Sequence, residues 1–305
     1  MKNKIAILIP CLNEELTIGN VIRDFKKKLP SCKIFVYDNN SDDNTFNIAK
    51  KCGATVISVK ERGKGNVVKK MFSDTHEADF YVMIDGDNTY DIENLNKMID
   101  IMSKDNLDMM VGCRNHKDSS AYRPGHVFGN LFFSKLVAFI FGNKVKDIFS
   151  GFRIFSKRFI KTFPLHSKEF EIEAELTIHA LEQRLSIKEF DCLYVPRHEK
   201  SNSKLNTFRD GIKILKLILV LIKDERPLMF FLILALMFFL LSLTIGIPII
   251  FEFYETKLVE RLPSAVLSGF LMVLGFLSFF SGLILDVIKK MRHENKRLNY
   301  LMFKK

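Results

Sequence analysis

The sequence predicts an α/β domain built around a mostly parallel, twisted sheet and followed by a two-helix membrane hairpin. In the first half of the chain, short apolar runs alternate with segments of about 20 residues that have helical character. Near the C-terminus, two long stretches contain no charged residue. A chain of 305 residues has room for one such domain and an appendage.

Five apolar runs are the expected strands of the sheet: IAILI, KIFVYD, TVISV, FYVMID and LDMMVG, at residues 5–9, 33–38, 55–59, 80–85 and 107–112. Their alternation with helices favours parallel pairing. Ligands of such sheets bind at the carboxyl ends of the strands. No G-x-G-x-x-G follows the first run and no Walker A sequence is present, which disfavours dinucleotide dehydrogenases and P-loop NTPases.

The two uncharged stretches, 227–251 and 262–285, predict membrane helices at about 227–251 and 262–286, long enough to cross a hydrocarbon core of about 30 Å. Buried helices of a soluble core are the alternative, but such helices rarely lack a polar face over this length. Lys223 and Arg226 precede the first stretch, and a basic tail follows Asp286. The positive-inside rule therefore predicts an integral membrane protein whose N-terminal domain and C-terminus are both cytoplasmic.

A cationic amphipathic helix is expected at 205–226, where Arg209, Lys213, Lys216 and Lys223 recur at helical spacing among aliphatic residues. Such a helix lies in the headgroup plane and binds anionic lipid, although an ordinary solvated helix face would show a similar pattern. The expected organisation is a domain over 1–204, this helix over 205–226, and the hairpin with its tail over 227–305.

The net charge of +11 indicates membrane lipids rather than nucleic acid as the anionic partner. Much of the positive charge flanks the apolar stretches, and no aromatic-basic RNA motif is present. The five cysteines are spread singly, without C-x-x-C pairs or histidines at zinc-ligand spacing, and are expected to be buried thiols in a reducing compartment. The first apolar run is too short for a signal peptide.

A candidate metal site follows the fourth apolar run, where the sequence IDGDNTY places Asp85 and Asp87 two residues apart. A chain that leaves a strand can direct both carboxylates into one cleft. Mg²⁺ and Mn²⁺ prefer such oxygen ligands and complete their shells with phosphate oxygens and water. Asp and Gly are also common turn residues, so this motif is a weak signal in isolation.

Polar residues also follow the other expected strands, in IPCLNEE, YDNNSDDNT and ERGKGN. Each segment would be an ordinary turn by itself. Together they provide a glycine-flanked cation at Lys64 and the side chains of Asp38 and Asn39 at one sheet edge. This combination, with the two carboxylates, is suited to the base, ribose and diphosphate of a nucleotide.

The order IPCLNE, DNNSDDNT, GKGN, DGD, GCR resembles the family 2 glycosyltransferases of the GT-A fold. The closest resemblance is to the dolichyl- and polyprenyl-phosphate mannose or glucose synthase branch, including its C-terminal two-helix membrane anchor. DIFSGFRIFSK, EFEIEAELTIHA and SNSKLNTFRDG also resemble segments of that branch. The resemblance covers nearly the whole chain and implies a nucleotide-sugar donor, Mg²⁺ or Mn²⁺, and a polyprenyl phosphate acceptor.

The resemblance assigns donor-site roles to individual residues. Asp85 and Asp87 would face the metal and the sugar, and Lys64 would lie near the diphosphate. The remaining residues of the nucleotide-sugar pocket would be Pro10, Leu12, Asn13, Glu14, Asp38 and Asn39. Two positions depart from the family pattern: Asn39 stands where a second Asp is frequent, and Thr89 stands where some members have a Gln metal ligand.

The acceptor side of the expected site is cationic. Arg114 of GCRN matches the position that the resemblance assigns to the acceptor phosphate, and a guanidinium suits phosphate oxygens, although it could instead pair with a carboxylate. Arg123 is the second candidate, and Lys204 could close over the site or touch lipid headgroups. The resemblance points Glu173 at the acceptor.

The implied reaction is inverting transfer of one sugar, from UDP or GDP, to undecaprenyl or dolichyl phosphate. A processive polysaccharide synthase would carry a Q-x-x-R-W helix, but the chain has no Trp. Transfer to a different glycolipid acceptor and a non-catalytic membrane scaffold stay open as competing interpretations. Small residues at Ser268, Gly269, Gly275, Ser281 and Gly282 could support a homo-oligomer or could pack within one chain.

Overall fold

The computed structural model describes residues 3–74, 77–115, 134–142, 145–164, 172–195, 220 and 222–303. The chain divides into two compact units, here called the sheet unit (1–214 with 296–305) and the hairpin unit (215–295). Most of the expected amphipathic helix lies outside the described residues, and 222–225 are helical. The predicted organisation into 1–204, 205–226 and 227–305 stays a prediction.

The sheet unit is built on a seven-stranded sheet in the order β3-β2-β1-β4-β6-β5-β7 within the described residues. The strands are β1 (Ile5–Cys11), β2 (Lys33–Asp38), β3 (Thr55–Ser58), β4 (Phe80–Met83), β5 (Met109–Asn115), β6 (Arg153–Ser156) and β7 (Ile187–Leu193). All pairings are parallel except those of β6, which runs antiparallel to β4 and β5. The expected mostly parallel α/β fold is confirmed.

Strands β6 and β7 are not among the five runs predicted from the sequence, and β6 determines the shape of the site. Arg153, its first residue, is in register with Met83 of β4 and with Val111 of β5. Because β6 is antiparallel to both neighbours, it begins at the edge where they end. The residues just before Arg153 therefore enter the carboxyl edge of the sheet.

Helices cover both faces of the sheet. They are α1 (Ile18–Lys28), α2 (Thr45–Lys51), α3 (Lys64–Ser73), α4 (Leu95–Lys104), α5 (Lys157–Thr162) and α6 (Ile172–Glu182). Successive strand residues point to opposite faces, so Leu8 and Ile9 belong to different buried clusters. Burial on both faces explains why the central strands are continuously apolar rather than alternating.

The chain's C-terminal end completes the sheet unit. Tyr300 is 4% exposed and donates a hydrogen bond of 2.7 Å to Asp108 Oδ2, just before β5. The Arg158 guanidinium lies 3.9 Å from the centre of the Tyr300 ring and pairs with Asp108 at 3.2 Å. Lys296 forms an ion pair of 2.7 Å with Glu182 at the end of α6. Residues 296–303 are thus packed into the sheet unit.

Two long apolar helices, α7 (Pro227–Thr256) and α8 (Leu262–Met302), form most of the hairpin unit. Only 11% of the most apolar window of each is buried, which distinguishes them from core helices of a soluble protein, and both are long enough to cross a membrane. Ser242 and Ser268 each donate a hydrogen bond to the other's carbonyl oxygen. These bonds join the two helices where their backbones approach.

The small residues of the hairpin pack within the chain at three of the predicted positions, of which Ser268 is the first through its bonds with Ser242. A Cβ on Gly275 would lie 2.5 Å from the Phe239 ring, and one on Gly282 would lie 2.9 Å from Cβ of Phe231. Gly269 has no atom within 4 Å of its would-be Cβ. Helix–helix packing inside one chain therefore accounts for Gly275 and Gly282, and homo-oligomerisation stays a prediction.

Candidate active site

Three loops at the carboxyl edge of the sheet each contain an asparagine in the left-handed backbone region. Asn13, Asn40 and Asn88 have φ values of 52°, 58° and 57° and follow β1, β2 and β4. Asparagine tolerates this conformation better than most residues because its short side chain can hydrogen-bond locally. The Asx-rich segments of the sequence therefore turn sharply where each strand ends.

Asn39 organises the loop that leads to Lys64. Its side-chain amide donates to the carbonyl oxygens of Val59 and Glu61 at 3.1 and 2.7 Å, and its carbonyl accepts from Gly63 N at 2.8 Å. The side chain is thus fully engaged with the backbone before α3. This gives Asn39 a structural role at a position where the family often has Asp, and its base contact stays a prediction.

Asp38 and Glu14 are buried at the ends of β2 and β1. Asp38 is 4% exposed; its Oδ2 accepts from Ser41 N at 3.2 Å, and its Oδ1 has no hydrogen-bond partner in the described part of the chain. A buried carboxylate oxygen without a partner is costly, and the base contact predicted for Asp38 stays a prediction. Glu14 N donates to Thr45 Oγ1 at 2.8 Å.

The other residues predicted after β1 lie at the same edge. Pro10 is buried within β1, Leu12 is half-buried and Asn13 is exposed. Thr17, at the start of α1, donates a hydrogen bond of 2.7 Å to the carbonyl oxygen of Gly86. This bond ties the loop after β1 to the Asp-Gly-Asp loop after β4.

Lys64 bridges two carboxylates at the centre of the site. Its Nζ lies 2.5 Å from Asp85 Oδ1 and 2.5 Å from Glu173 Oε1, although these residues come from the loop after β4 and from α6. Burial alone would lower the pKa of Lys64, but the two carboxylates outweigh burial and raise it. Burial raises the pKa of Glu173, against the opposing effect of Lys64. Lys64 therefore stays cationic between two acids.

Asp87 is 4% exposed and is oriented by Thr89. Thr89 donates to Asp87 Oδ1 from its hydroxyl at 2.7 Å and from its backbone N at 3.3 Å. Thr89, which is itself fully buried, therefore holds a carboxylate at the position where some family members have a Gln metal ligand. The hard carboxylate oxygens of Asp85 and Asp87 fit Mg²⁺ or Mn²⁺ by their chemistry.

Arg114 is held by Asp147, the first residue of DIFSGFR, to which the sequence assigns no role. Its Nε and Nη2 donate to the two oxygens of Asp147 at 2.7 Å each, and its backbone N adds a bond of 3.2 Å. Burial alone would raise the pKa of Asp147, but the hydrogen bonds and charge of Arg114 outweigh it and lower the pKa. The Arg114 guanidinium is thereby fixed in orientation, and its contact with an acceptor phosphate stays a prediction.

Further residues missed by sequence reasoning lie next to Asp85. A Cβ on Gly151 would meet Asp85 Oδ2 at 2.1 Å, so the glycine backbone forms a wall of the site. Tyr90 OH accepts from Gly151 N at 2.9 Å. The only available signal was the sequence DIFSGFR, in which residue roles are not evident without the antiparallel course of β6. The predicted acceptor cations Arg123 and Lys204 lie outside the described residues.

The edge of this sheet thus brings together two acidic residues after β4, a buried lysine between two carboxylates, and an oriented arginine. The described residues predicted for the site from the sequence therefore lie at one edge of the sheet. The family model described as "Glycosyl transferase family 2" matches residues 6–163. The chain belongs to this family and is a glycosyltransferase.

Two relatives from Haloferax volcanii extend the match beyond that region. A protein named glycosyltransferase AglJ is 28% identical over 304 residues, covering 97% of this chain and 98% of the relative. A protein named dolichyl-phosphate hexose transferase is 30% identical over 226 residues, covering 73% of this chain and 95% of the relative. The resemblance to the dolichyl-phosphate branch is confirmed.

Solved structures show the same fold. The glucosyl-3-phosphoglycerate synthase of Mycobacterium tuberculosis, in complex with Mn²⁺, UDP and phosphoglyceric acid, has a TM-score of 0.57 and 20% sequence identity. The match covers 72% of this chain and 78% of that chain. At this identity the similarity establishes the GT-A fold alone.

Proposed function

We propose that this enzyme transfers one sugar, with inversion, from a UDP- or GDP-sugar to a polyprenyl monophosphate at the cytoplasmic face of a membrane. The observation that carries the proposal is the Lys64 bridge between Asp85 and Glu173, beside the loop that also bears Asp87. The name of the dolichyl-phosphate hexose transferase relative supports a lipid phosphate as the acceptor class.

The donor would occupy the edge between β2 and β4. Asp38 offers its buried Oδ1 to the nucleoside, and Lys64 is a fixed cation for the diphosphate. A positive charge that is already in place stabilises the leaving nucleoside diphosphate without reorganisation at the moment of reaction. Lys64 would keep Glu173 as its partner while its contact with Asp85 is exchanged for phosphate oxygens.

Asp87, together with Asp85, would hold Mg²⁺ or Mn²⁺. Thr89 limits the rotation of the Asp87 carboxylate, so the ligand is oriented before a metal arrives. A divalent ion bound there would neutralise charge that develops on the leaving diphosphate. Asp87 would be the principal protein ligand, and Asp85 would join it once phosphate oxygens replace Asp85 at Lys64.

The acceptor chemistry needs little proton transfer. A lipid monophosphate is anionic at neutral pH and attacks as an oxygen nucleophile, so a strong general base is not required, in contrast to a sugar hydroxyl. Arg114 would bind and orient the phosphate, and Asp147 would keep the guanidinium in place. Catalysis would then depend mainly on positioning and charge.

The apolar helices α7 and α8 would anchor the enzyme in the membrane that contains its acceptor. The basic residues before α7 and at the end of α8 predict a cytoplasmic location for the sheet unit and the C-terminus. Confinement to the membrane raises the effective concentration of an insoluble acceptor. The lipid partners would be the acceptor itself and anionic headgroups.

The test incubates membranes containing the protein with Mg²⁺ or Mn²⁺, a polyprenyl phosphate and a panel of UDP- and GDP-sugars, followed by mass spectrometry of the lipid fraction. We expect one lipid-linked monosaccharide that disappears in Asp87→Ala. The matched control is Asp100→Ala, which removes an exposed carboxylate from α4. Absence of product from every donor, with folded protein, would contradict the proposal and favour a different glycolipid acceptor or a scaffold.

A further inference from the structure

The segment Asp147–Arg153, here called the DIFSGFR segment, lies between the donor and acceptor halves of the site. At one end, the Asp147 carboxylate accepts hydrogen bonds of 2.7 Å from Nε and from Nη2 of Arg114. Near the other end, Gly151 abuts the Asp85 carboxylate. One short stretch of chain therefore touches both the predicted phosphate-binding arginine and the predicted donor-side carboxylate.

The middle of the segment is attached to the loop after β4 and to β5. Ser150 Oγ donates to the carbonyl oxygen of Gly112 at 2.5 Å, and Tyr90 OH accepts from Gly151 N at 2.9 Å. Burial raises the pKa of Tyr90, which remains a neutral hydroxyl. These bonds hold the position of Gly151, yet neither one spans the segment from end to end.

Arg153 spans it. This residue is 0% exposed, and its guanidinium folds back on the segment that precedes it. Nη2 donates to the carbonyl oxygen of Ile148 at 2.6 Å, next to Asp147, and Nε donates to that of Ser150 at 2.9 Å, next to Gly151. A single planar group thereby fixes the backbone beside both functional contacts.

The third arm of the guanidinium reaches α6. Nη1 donates to Thr177 Oγ1 at 2.9 Å, and Thr177 Oγ1 in turn donates to the carbonyl oxygen of Glu173 at 3.2 Å. Glu173 forms an ion pair with Lys64, and Lys64 forms a second ion pair with Asp85. The contacts form a closed ring that runs from Asp85 through Lys64, α6 and Arg153 to Gly151 and back to Asp85.

The ring explains why a charged residue occupies a fully buried position. Burying a guanidinium is costly unless its donors are satisfied, and within the described residues no carboxylate lies at ion-pair distance from Arg153. Its partners are two carbonyl oxygens, a hydroxyl and the Met109 sulfur. A rigid fork that satisfies separated acceptors is a property of Arg that Lys lacks.

We propose that Arg153 is a positioning residue that sets the separation between Asp85 and Arg114 by fixing the DIFSGFR segment and α6 together. Its effect on the donor side rests on the glycosyltransferase class of the enzyme. Its effect on the acceptor side rests on the proposed transfer to polyprenyl phosphate. Arg153 touches neither substrate in this role and acts through Gly151, Asp147 and Thr177.

The test uses the full-length protein in detergent or membranes with two substitutions. Thr177→Val is nearly isosteric and removes the hydroxyl that joins Arg153 to Glu173. Arg153→Lys keeps the positive charge but removes the planar guanidinium and its separate donors. The matched control is Ser156→Ala, which removes the buried N-cap hydroxyl of α5, 3.1 Å from Phe159 N. Three quantities are measured: thermal stability, equilibrium affinity for the donor sugar nucleotide, and kcat and KM for both substrates.

If Arg153 is a positioning residue, Thr177→Val should lose no more stability than Ser156→Ala. It should nevertheless lower kcat/KM by about tenfold or more, because small misplacements at a site have large kinetic effects. Donor affinity should fall in Thr177→Val and Arg153→Lys and be unchanged in Ser156→Ala. If all three variants lose stability alike and keep wild-type donor affinity and kcat/KM, Arg153 is merely structural and the proposal is overturned.

The donor-binding measurement separates this proposal from the proposed function. A wild-type enzyme that binds its donor but transfers to no polyprenyl phosphate would refute the acceptor assignment, and the variant series would still report on Asp85 through donor affinity. If Arg153→Lys does not fold, the test compares the stability, donor affinity and kcat/KM of Thr177→Val with those of Ser156→Ala.

Discussion

At the scale of single residues, the site depends on close contacts that leave no space for larger side chains. A Cβ at Gly151 would collide with the Asp85 carboxylate, and the fully buried Thr89 donates a hydrogen bond to Asp87. Asn39 uses both ends of its amide on one loop. Each residue acts through a neighbour whose position it fixes.

Gly151→Ala should displace the Asp85 carboxylate, since the new methyl group would lie 2.1 Å from Oδ2. The shift would move Asp85 away from the metal and sugar positions proposed for it and weaken donor binding by about tenfold or more. Isothermal titration with the donor nucleotide measures the effect. Gly269→Ala is the control because its Cβ would have no atom within 4 Å. Equal donor affinity in both variants would show that Gly151 does not determine the position of Asp85.

His179 of α6 should make stability depend on pH. Its ring packs edge-on against Phe159 and Phe163, and burial lowers its pKa to about 4 from an ordinary 6.5. The unfolded chain then binds more protons than the folded chain between these values. The stability of the neutral ring is therefore complete above pH 6.5 and falls toward pH 4, by roughly 3 kcal/mol at about 1.36 kcal/mol per unit.

Denaturation of wild type and His179→Leu between about pH 4 and pH 7 tests this expectation. The wild type should lose more unfolding free energy on acidification than the variant, which lacks the titrating ring. Parallel curves would show that His179 is not the source of the pH dependence.

At the scale of elements, two segments join parts of the sheet unit that are distant along the chain. Strand β6 enters between β4 and β5 in the antiparallel sense and delivers the DIFSGFR segment to the carboxyl edge. Residues 296–303 pack at the opposite edge, where Tyr300 meets Asp108 just before β5. The candidate site and the contact made by Tyr300 thus lie at opposite ends of β5.

Tyr300→Phe should lower the free energy of unfolding of the sheet unit by about 1 to 3 kcal/mol, because Asp108 Oδ2 loses a buried hydrogen bond. The ring and its contact with Arg158 would remain. Chemical denaturation followed by a probe in the sheet unit measures the loss. Met302→Ala, at a 77% exposed position, should cost little, and an equal loss in both variants would contradict the contact.

At the scale of the whole molecule, the sheet unit is not contiguous in sequence. It comprises 1–214 and 296–305, with the hairpin unit between them in the chain. A chain ending at Arg226 would lack both the apolar helices and Tyr300. Loss of the proposed membrane anchor and loss of a buried contact would then occur together, so a simple truncation cannot separate them.

Replacing 227–295 with a long flexible linker, while retaining 296–305, should separate these effects. We expect this variant to bind donor like the wild type but to transfer poorly to long-chain polyprenyl phosphate, since the anchor supplies effective concentration. Transfer to a short, water-soluble prenyl phosphate should be retained. The matched variant that ends at Arg226 should be less stable, and undiminished long-chain transfer by the linker variant would count against anchoring.

Much of the fold could be predicted from local pattern. The five predicted runs coincide with β1 to β5 within a few residues, and the two uncharged stretches coincide with α7 and α8. Asp38, Lys64, Asp85 and Asp87 could be predicted because Asp38 ends β2, Lys64 begins α3, and the two other aspartates follow β4. Their substrate contacts stay predictions. β6 and β7 were missed because their short sequences carry no distinctive period of their own.

The sequence by itself determined the mostly parallel sheet and the two long apolar helices, because each of these patterns is contained within a short stretch of chain. It also predicts the donor-side residues from the polar side chains at the ends of the strands. Only the tertiary structure decided that Arg114 is held by Asp147, that Gly151 forms a wall against Asp85, and that Tyr300 closes the sheet unit. Those contacts join residues that are far apart along the chain. Local pattern cannot specify them, since they exist only after the antiparallel strand and the C-terminal helix have packed.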